Sequence, residues 1–479
     1  MNFLTPSYFL FFPVAAVLYF VLPVRCKNPW LLLCSWFFYL CAGPEYFVFL
    51  LFAIAVTYFA GLQLDKKPAR LTLVLAAGSL LLLLFVFKYL GFALSLVSRA
   101  LSALGLAIES PALSLILPAG ISFYLFQSIG YVIDVYRGKW PAERSFVKYA
   151  LFVSFFPSLL SGPIGRSDQL LPQFDTPKRF SWTRVKSGLI RFLWGAFQKL
   201  VVADRLGVVT AAVFAAPQDY STAQLWAAAI GFSLQIYCDF AAYSDMATGC
   251  AEVMGFSLIQ NFRTPYFSRS IQEFWRRWHI SLSTWFRDYL YIPLGGSRRG
   301  TARKYLNVLI VFGVSGLWHG AALTFVVWGL LNGLYQVIGG VTAALRRRVR
   351  TALHLRDDGK LCALWQIAFT FVLATLAWVF FKSGSLSGAL DVLSGMAVPQ
   401  AGTGLALFSG RRELAAALGG LLLVLVRDLW SLKTDPYRSL AEGNRALRWV
   451  VCLGLLMLTL ICGIYGTGYD AQDFIYFNF

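Results

Sequence analysis

Long apolar runs separated by clusters of Lys and Arg constrain this chain more than any other feature. The runs occupy residues 8–24, 29–42, 45–63, 71–92, 112–136, 146–160, 188–211, 222–243, 306–320, 322–341, 361–380, 415–430 and 447–466. Many reach the roughly 17 to 25 residues that a helix needs to cross a hydrocarbon core. Only 14% of the residues are charged and 58% are hydrophobic, whereas a soluble domain carries about a quarter of its residues as charges. The expected fold class is therefore an all-α multi-pass membrane protein. It would hold about 10 to 13 membrane helices, the shorter or more polar runs being re-entrant or interfacial. The abundance of Phe, Tyr and Trp (42, 22 and 15 residues) suits lipid contact and the headgroup level.

The net charge of +19 would suggest nucleic acid in a soluble protein. Here the basic residues fall between apolar runs, as in KKPAR (66–70), SRRGTARK (297–304) and RRRVR (346–350). Cytoplasmic loops facing anionic lipid explain that placement better than a nucleic-acid partner does. Clusters at Arg25/Lys27, Lys66/Lys67/Arg70 and Arg137/Lys139/Arg144/Lys148 follow the first, third and fifth runs, while the turn at 43–45 has no basic residue. If all five runs cross, these clusters share the cytoplasmic side and the N-terminus lies outside. The first run has no basic leader and no small-residue cleavage signal, so it reads as a retained span. Eight cysteines show neither CxxC nor a Cys/His cluster, so no metal site is expected.

Two stretches carry the polar chemistry. The first is WRRWHISLSTWFRDYLYIPLGG, residues 275–296. Ser270 with Glu273 has capping-box spacing. The periodicity predicts one helix continuing through Trp275, Trp278, His279, Leu282, Ser283 and Phe286. Arg276, Arg277 and Arg287 fall largely on other faces, the pattern of an interfacial helix that Pro293 and Gly295-Gly296 end. A plain amphipathic anchor would look similar, although an anchor needs no imidazole at His279. Asp288 directly follows Arg287, so it is expected to pair with a neighbouring helix rather than with that side chain.

The second stretch is NVLIVFGVSGLWHGAALTFVVWGLLNG, residues 307–333, in which His319 is the only titratable side chain. An ionisable group in hydrocarbon is costly and usually faces a protein interior or a water-filled path. Gly313, Gly316 and Gly320 would allow close helix approach or substrate passage. A buried imidazole is favoured in its neutral form, which can take a proton from a hydroxyl. An internal structural histidine is the alternative. Asp239 and Asp245, in QIYCDFAAYSDMATG (235–249), could line a cavity or hold a partner. Neither GxSxG nor a Ser-His-Asp order occurs, so direct attack of an acceptor hydroxyl on an acyl thioester is simpler than an enzyme-bound intermediate, with a transient acyl-histidine the weaker variant. A transporter or export component that uses His319 and Asp239 as a proton relay is the non-enzyme alternative.

Six segments together are highly specific: NFLTPSYFLFFPVAAVLYFVLP (2–23), FFPSLLSGPIGRSDQLLPQF (155–174), YCDFAAYSDMATGCAEVMGF (237–256), NFRTPYFSRSIQEFWRRWHISLSTWFRDYLYIPLGG (261–296), GLWHGAALTFVVWGLLNG (316–333) and FIYFNF (474–479). With them the chain resembles, over nearly its whole length, the membrane-bound O-acyltransferases, most closely the bacterial branch that acetylates alginate and other polysaccharides. The resemblance implies one membrane domain over 1–479, with N-terminal helices to 150, a catalytic core over 151–341 and C-terminal helices after it. It implies a ring or funnel of helices in which a cytoplasmic donor meets an external acceptor. It assigns the catalytic role to His319 and a supporting role to His279. Trp275, Arg276, Trp278, Arg287, Asp288, Asp239, Trp318 and Asn332 are the candidates for donor binding or cavity lining. No bound cofactor or metal is expected; acetyl-CoA or another acyl thioester is the co-substrate. The acceptor would be a polysaccharide, or a periplasmic or extracellular acetyltransferase partner, with the protein in a bacterial inner membrane. D-alanyl transfer to teichoic acid is the rival within the same superfamily, and YIPLGG (291–296) leans toward the acetylating branch.

Overall fold

The computed structural model describes residues 1–106, 116–352, 359–465 and 474. The run at 112–136 therefore falls partly outside the described residues, as does all of FIYFNF except Phe474. Every regular element among the described residues is helical. Seven of these helices are long and apolar enough to cross a membrane: Pro44–Lys66, Arg70–Ala103, Thr222–Val253, Leu323–Val341, Lys360–Lys382, Arg411–Ser431 and Arg445–Cys462. They give the chain the build of an all-α multi-pass membrane protein. The exposed side chains of Leu71, Val74, Leu75, Leu81 and Leu82 fit that reading, because lipid tails leave no penalty for an apolar outer face. Among the remaining runs, the first forms the shorter apolar helix Pro6–Val21. The helix Thr301–His319 falls outside the seven, since Arg303, Lys304, Asn307 and His319 dilute its apolar stretch.

The chain divides into two compact units, one built from Met1–Phe192, Met246–Ile259 and Ala471–Phe479, the other from Leu193–Asp245 and Gln260–Asp470. In the first, Gly61 lets the helix Phe47–Lys66 meet Tyr131 of the helix Ile121–Tyr136; a Cβ there would lie 2.8 Å from the Tyr131 ring. The run at 146–160 is not one helix. It breaks at Phe155, between Phe146–Ser154 and Phe156–Leu159, and continues as a buried loop. Such a loop must satisfy its backbone polar groups internally. Gln127 does part of this, donating to the Phe152 carbonyl and accepting from Gly165 N–H at 2.9 Å.

The second unit holds both candidate histidines and a buried chain of charges. Lys199 Nζ lies 2.8 Å from carboxylates of both Asp204 and Asp239. Arg427 pairs with Asp428 at 3.2 Å and lies 3.8 Å from Asp245, which accepts a hydrogen bond from Tyr437 at 2.9 Å. Lys199 belongs to a π-helical segment, Gln198–Ala203, between the helices Trp182–Phe197 and Asp204–Ala215. Inserted π turns of this kind re-aim side chains out of the normal helical register. Asp239 and Asp245 are thus members of ion-paired helix contacts.

Candidate functional site

The expected single helix over 270–286 does not form. Ser270 starts it, its hydroxyl accepting from Glu273 N–H at 3.2 Å, while the Glu273 carboxylate reaches back to Arg269 N–H at 2.8 Å. The helix Ile271–Arg277 then stops, and Ile280–Phe286 begins after His279 in the left-handed region (φ 44°, ψ 55°). That conformation costs an L-residue roughly 1–2 kcal/mol, so the break must be held from outside. Asn261 and Arg263 hold it: Arg263 N–H donates to Arg277 O and Ile280 N–H to Asn261 O, each at 3.0 Å. The Asn261 side chain accepts from Ser281 Oγ at 2.7 Å and from Ser281 N–H at 3.3 Å, and donates to Ser244 Oγ at 3.1 Å. These bonds satisfy backbone groups that two new helix ends expose.

The break leaves the rings inward. Trp275, Trp278, Leu282 and Phe286 are buried, whereas Arg276 and Arg287 are exposed. His279 is buried against Phe240 (ring centroids 4.6 Å apart) and Trp318 (5.9 Å). Burial pushes its imidazole down to about 3, keeping it neutral.

His319 ends the helix Thr301–His319, and glycines decide what it meets. A Cβ on Gly316 would fall 2.2 Å from Phe325 O, and one on Gly329 would fall 2.2 Å from Phe312 O. The helices Thr301–His319 and Leu323–Val341 therefore touch backbone to backbone, the close approach that small residues permit in membranes. Gly320 lies against the Phe325 ring in the same way. This contact brings the buried His319 ring to 5.0 Å from Trp328, 4.9 Å from Trp318 and 5.4 Å from Phe381. Trp318 touches both imidazoles.

Beside this aromatic nest is a cavity of about 780 Å³. Its walls include Arg269, Arg276, Arg287, Lys304 and Arg346, and no carboxylate among the described residues. One wall runs along the helix Thr301–His319 from Lys304 through Val308, Val311 and Phe312 to Ser315. At 1.5 Å per residue that wall is about 16 Å long. Ser315 lies four residues before His319, on the same helix face. This wall thus begins at a cation, Lys304, and runs through apolar side chains toward the imidazole.

Of the residues singled out from the sequence, Trp275, Arg276 and Arg287 line the cavity. His319, His279, Trp278, Trp318, Asn332, Asp288 and Asp239 are not among its walls. Asn332 lies just behind one wall: its Oδ1 accepts from Trp275 Nε1 at 3.2 Å, and its Nδ2 donates to Trp328 O at 2.8 Å. The expectation that Asp288 pairs with a neighbouring helix rather than with Arg287 is overturned. Asp288 pairs with Arg287, Nε to Oδ1 at 2.7 Å and Nη2 to Oδ2 at 3.2 Å. The long arginine stem bends back on a π-helical turn, Arg287–Tyr291, where face arguments for ordinary helices lapse. Asp239 is buried on Lys199. Sequence reasoning passed over Trp328, Phe381, Lys304 and Arg346 as site residues; the two cations sat inside SRRGTARK and RRRVR, read as loop charge.

Residues 141–383 match the model of the MBOAT, membrane-bound O-acyltransferase family. The chain is 35% identical to a probable alginate O-acetylase of Pseudomonas putida, over 98% of both proteins. It is 36% identical to a peptidoglycan O-acetyltransferase of Helicobacter pylori, covering 82% of this chain and 79% of that protein. A teichoic acid D-alanyltransferase of Bacillus subtilis is more distant, at 26% over 47% of this chain and 59% of that protein.

Proposed function

Because this chain belongs to the membrane-bound O-acyltransferase family, we propose that it carries an acetyl group from acetyl-CoA to a hydroxyl on an extracytoplasmic polysaccharide, or to a partner protein that relays it. The observation that carries this reading is the cavity: five basic side chains and no carboxylate among its described walls, with Val308, Val311 and Phe312 on the wall that leads to Ser315, one turn from His319. Five basic side chains match the phosphates of a nucleotide thioester, and the apolar side chains of that wall suit its uncharged arm. The names of the acetylating relatives support acetyl as the group and a glycan as the acceptor. The protein would sit in a bacterial inner membrane, where a cytoplasmic donor and an external glycan are separated by the bilayer.

The chemistry needs no covalent enzyme intermediate. His319, buried, takes the proton of the acceptor hydroxyl as that oxygen bonds to the thioester carbonyl carbon. The C–S bond then breaks, and the proton passes from His319 to the departing thiolate, leaving an ester and a thiol. General-base assistance of this kind contributes about 10²- to 10⁴-fold. His279 acts at one remove, holding Trp318 and so the His319 pocket. Mass spectrometry of envelope polymers from cells with and without the protein tests the reading. Loss of the acetyl increment agrees with it; loss of an alanine ester in place of acetyl would reassign the transferred group.

A further inference from the structure

A buried cation is normally answered by a carboxylate, as Lys199 is by Asp204 and Asp239. Lys27, in the helix Val24–Leu40 of the first unit, is 9% exposed and is not. Its ammonium carries three N–H donors. Among the described residues it meets the Lys178 carbonyl at 3.2 Å and the face of Tyr19, 4.9 Å from the ring centroid, with no carboxylate in pairing range.

More positive charge gathers at the same place. Lys178 Nζ sits over Phe256, 5.6 Å from its centroid. Gly255, at φ +90°, packs its backbone on two cation stems at once: a Cβ there would lie 3.0 Å from Lys178 Cβ and 3.1 Å from Arg184 Nη1. Arg184 Nη1 reaches the Gly255 carbonyl only at 3.5 Å. Burial and the Arg184 guanidinium push the Lys178 ammonium below the usual lysine range. The helix that carries Arg184, Trp182–Phe197, has no acidic residue in its first turn, so its positive end is uncompensated as well. Such a cluster is completed by an anion.

The surroundings choose the kind of anion. Phe180 and Trp182, 58% and 62% exposed, stack on each other at 6.0 Å, and Phe180 meets Phe20 edge-on at 5.5 Å. Leu10, Val14, Val17 and Val21 form an exposed stripe at helical spacing along Pro6–Val21, which ends beside Phe20. A free anion has no use for these groups. A lipid uses both, the rings at headgroup level and the stripe along its chains. Without a carboxylate to receive a choline or ethanolamine ammonium, the cluster favours a headgroup of net negative charge.

We propose that Lys27, Lys178 and Arg184 seat the phosphodiester of an anionic phospholipid, whose acyl chains lie along the stripe from Val21 to Leu10. None of these residues lines the cavity, so the site stands apart from the one assigned to the acyl donor.

The test is native mass spectrometry and thermal melting of delipidated full-length protein in detergent, with phosphatidylglycerol, phosphatidylcholine or inorganic phosphate added. Wild type is compared with Lys178→Gln/Arg184→Gln and with Lys66→Gln/Lys67→Gln, a charge-matched control on another exposed loop. Lys27 is left in place because its buried stem also packs. Wild type should prefer phosphatidylglycerol to phosphatidylcholine and melt higher with it. Lys178→Gln/Arg184→Gln should melt normally without lipid, bind phosphatidylglycerol about 30-fold more weakly, at roughly fivefold per basic side chain, and lose the lipid-induced rise in Tm, while the control keeps both. Equal phosphatidylglycerol binding by the two variants overturns the site, and a wild type without preference between the two lipids overturns it with no variant needed. Inorganic phosphate that raises wild-type Tm as much as phosphatidylglycerol does overturns the lipid as occupant.

Discussion

Replacing Gly316 by alanine adds one methyl group where two helices have no room for it. The new Cβ would lie 2.2 Å from Phe325 O, 3.0 Å from Phe325 C and 3.3 Å from Val326 Cα, all backbone atoms that no rotamer change can move. Ordinary contact begins near 3.4 Å, so the helices Thr301–His319 and Leu323–Val341 must part by about an ångström at their crossing. Overpacking of this kind costs about 1–3 kcal/mol, against which alanine regains up to about 1 kcal/mol of helix propensity. The larger effect is on turnover, because the separation carries His319 away from Trp328, and a 1 Å misplacement can cost about 10²-fold. Gly313→Ala is the matched control on the same helix. Its nearest neighbour is the end of the Leu330 side chain at 3.4 Å, and it is expected to be neutral or mildly stabilising. Thermal melting, and thiol release from acetyl-CoA with a glycan acceptor present, are measured for both variants in nanodiscs. A Gly316→Ala protein that melts and turns over like wild type would refute the close-approach reasoning.

Lys199→Met leaves the buried Asp239 and the partly buried Asp204 carboxylates without the ammonium between them, and a loss of about 3–5 kcal/mol is expected. It should appear as a lower melting temperature that Asp239→Asn partly restores; an unchanged melt would contradict the ion-pair account. His279 gives a pH signature. Its folded-state pKa, about 3, lies below the free value of 6.5, so on acidification the unfolded chain takes up a proton that the folded chain refuses. Stability should fall by up to about 1.4 kcal/mol per pH unit below about pH 6.5, levelling near pH 3. His279→Asn, a residue that tolerates left-handed backbone, should remove that slope; parallel melting curves for the two proteins would count against it.

Much of this was legible before the structure. The apolar runs announced membrane helices from their length, and the glycines near His319 left close helix approach or substrate passage open, of which Gly316 shows the close approach. The break at His279 was not legible. No Gly or Pro marks it, and Trp275, Trp278, Leu282 and Phe286 keep a helical rhythm because both short helices turn their rings to the same core. What stabilises the break, Asn261 with Arg263, is supplied by a segment more than a dozen residues away. The cavity was hidden for a related reason. Its cations Arg269, Lys304 and Arg346 come from three separate segments, and loop charge looks alike in sequence whether it faces lipid or lines a pocket. Arg287 with Asp288 shows the limit of face counting, since a long exposed side chain on a π turn can reach its immediate neighbour.

The most direct measurement is a single-turnover reaction of radiolabelled acetyl-CoA and a glycan acceptor with the purified protein and with its His319→Ala variant, both first shown to insert and melt alike. The account predicts His319-dependent thiol release, slowed by about 10²-fold or more in the variant. Equal rates in the two proteins would contradict it, and the imidazole would then be a packing element of the aromatic nest.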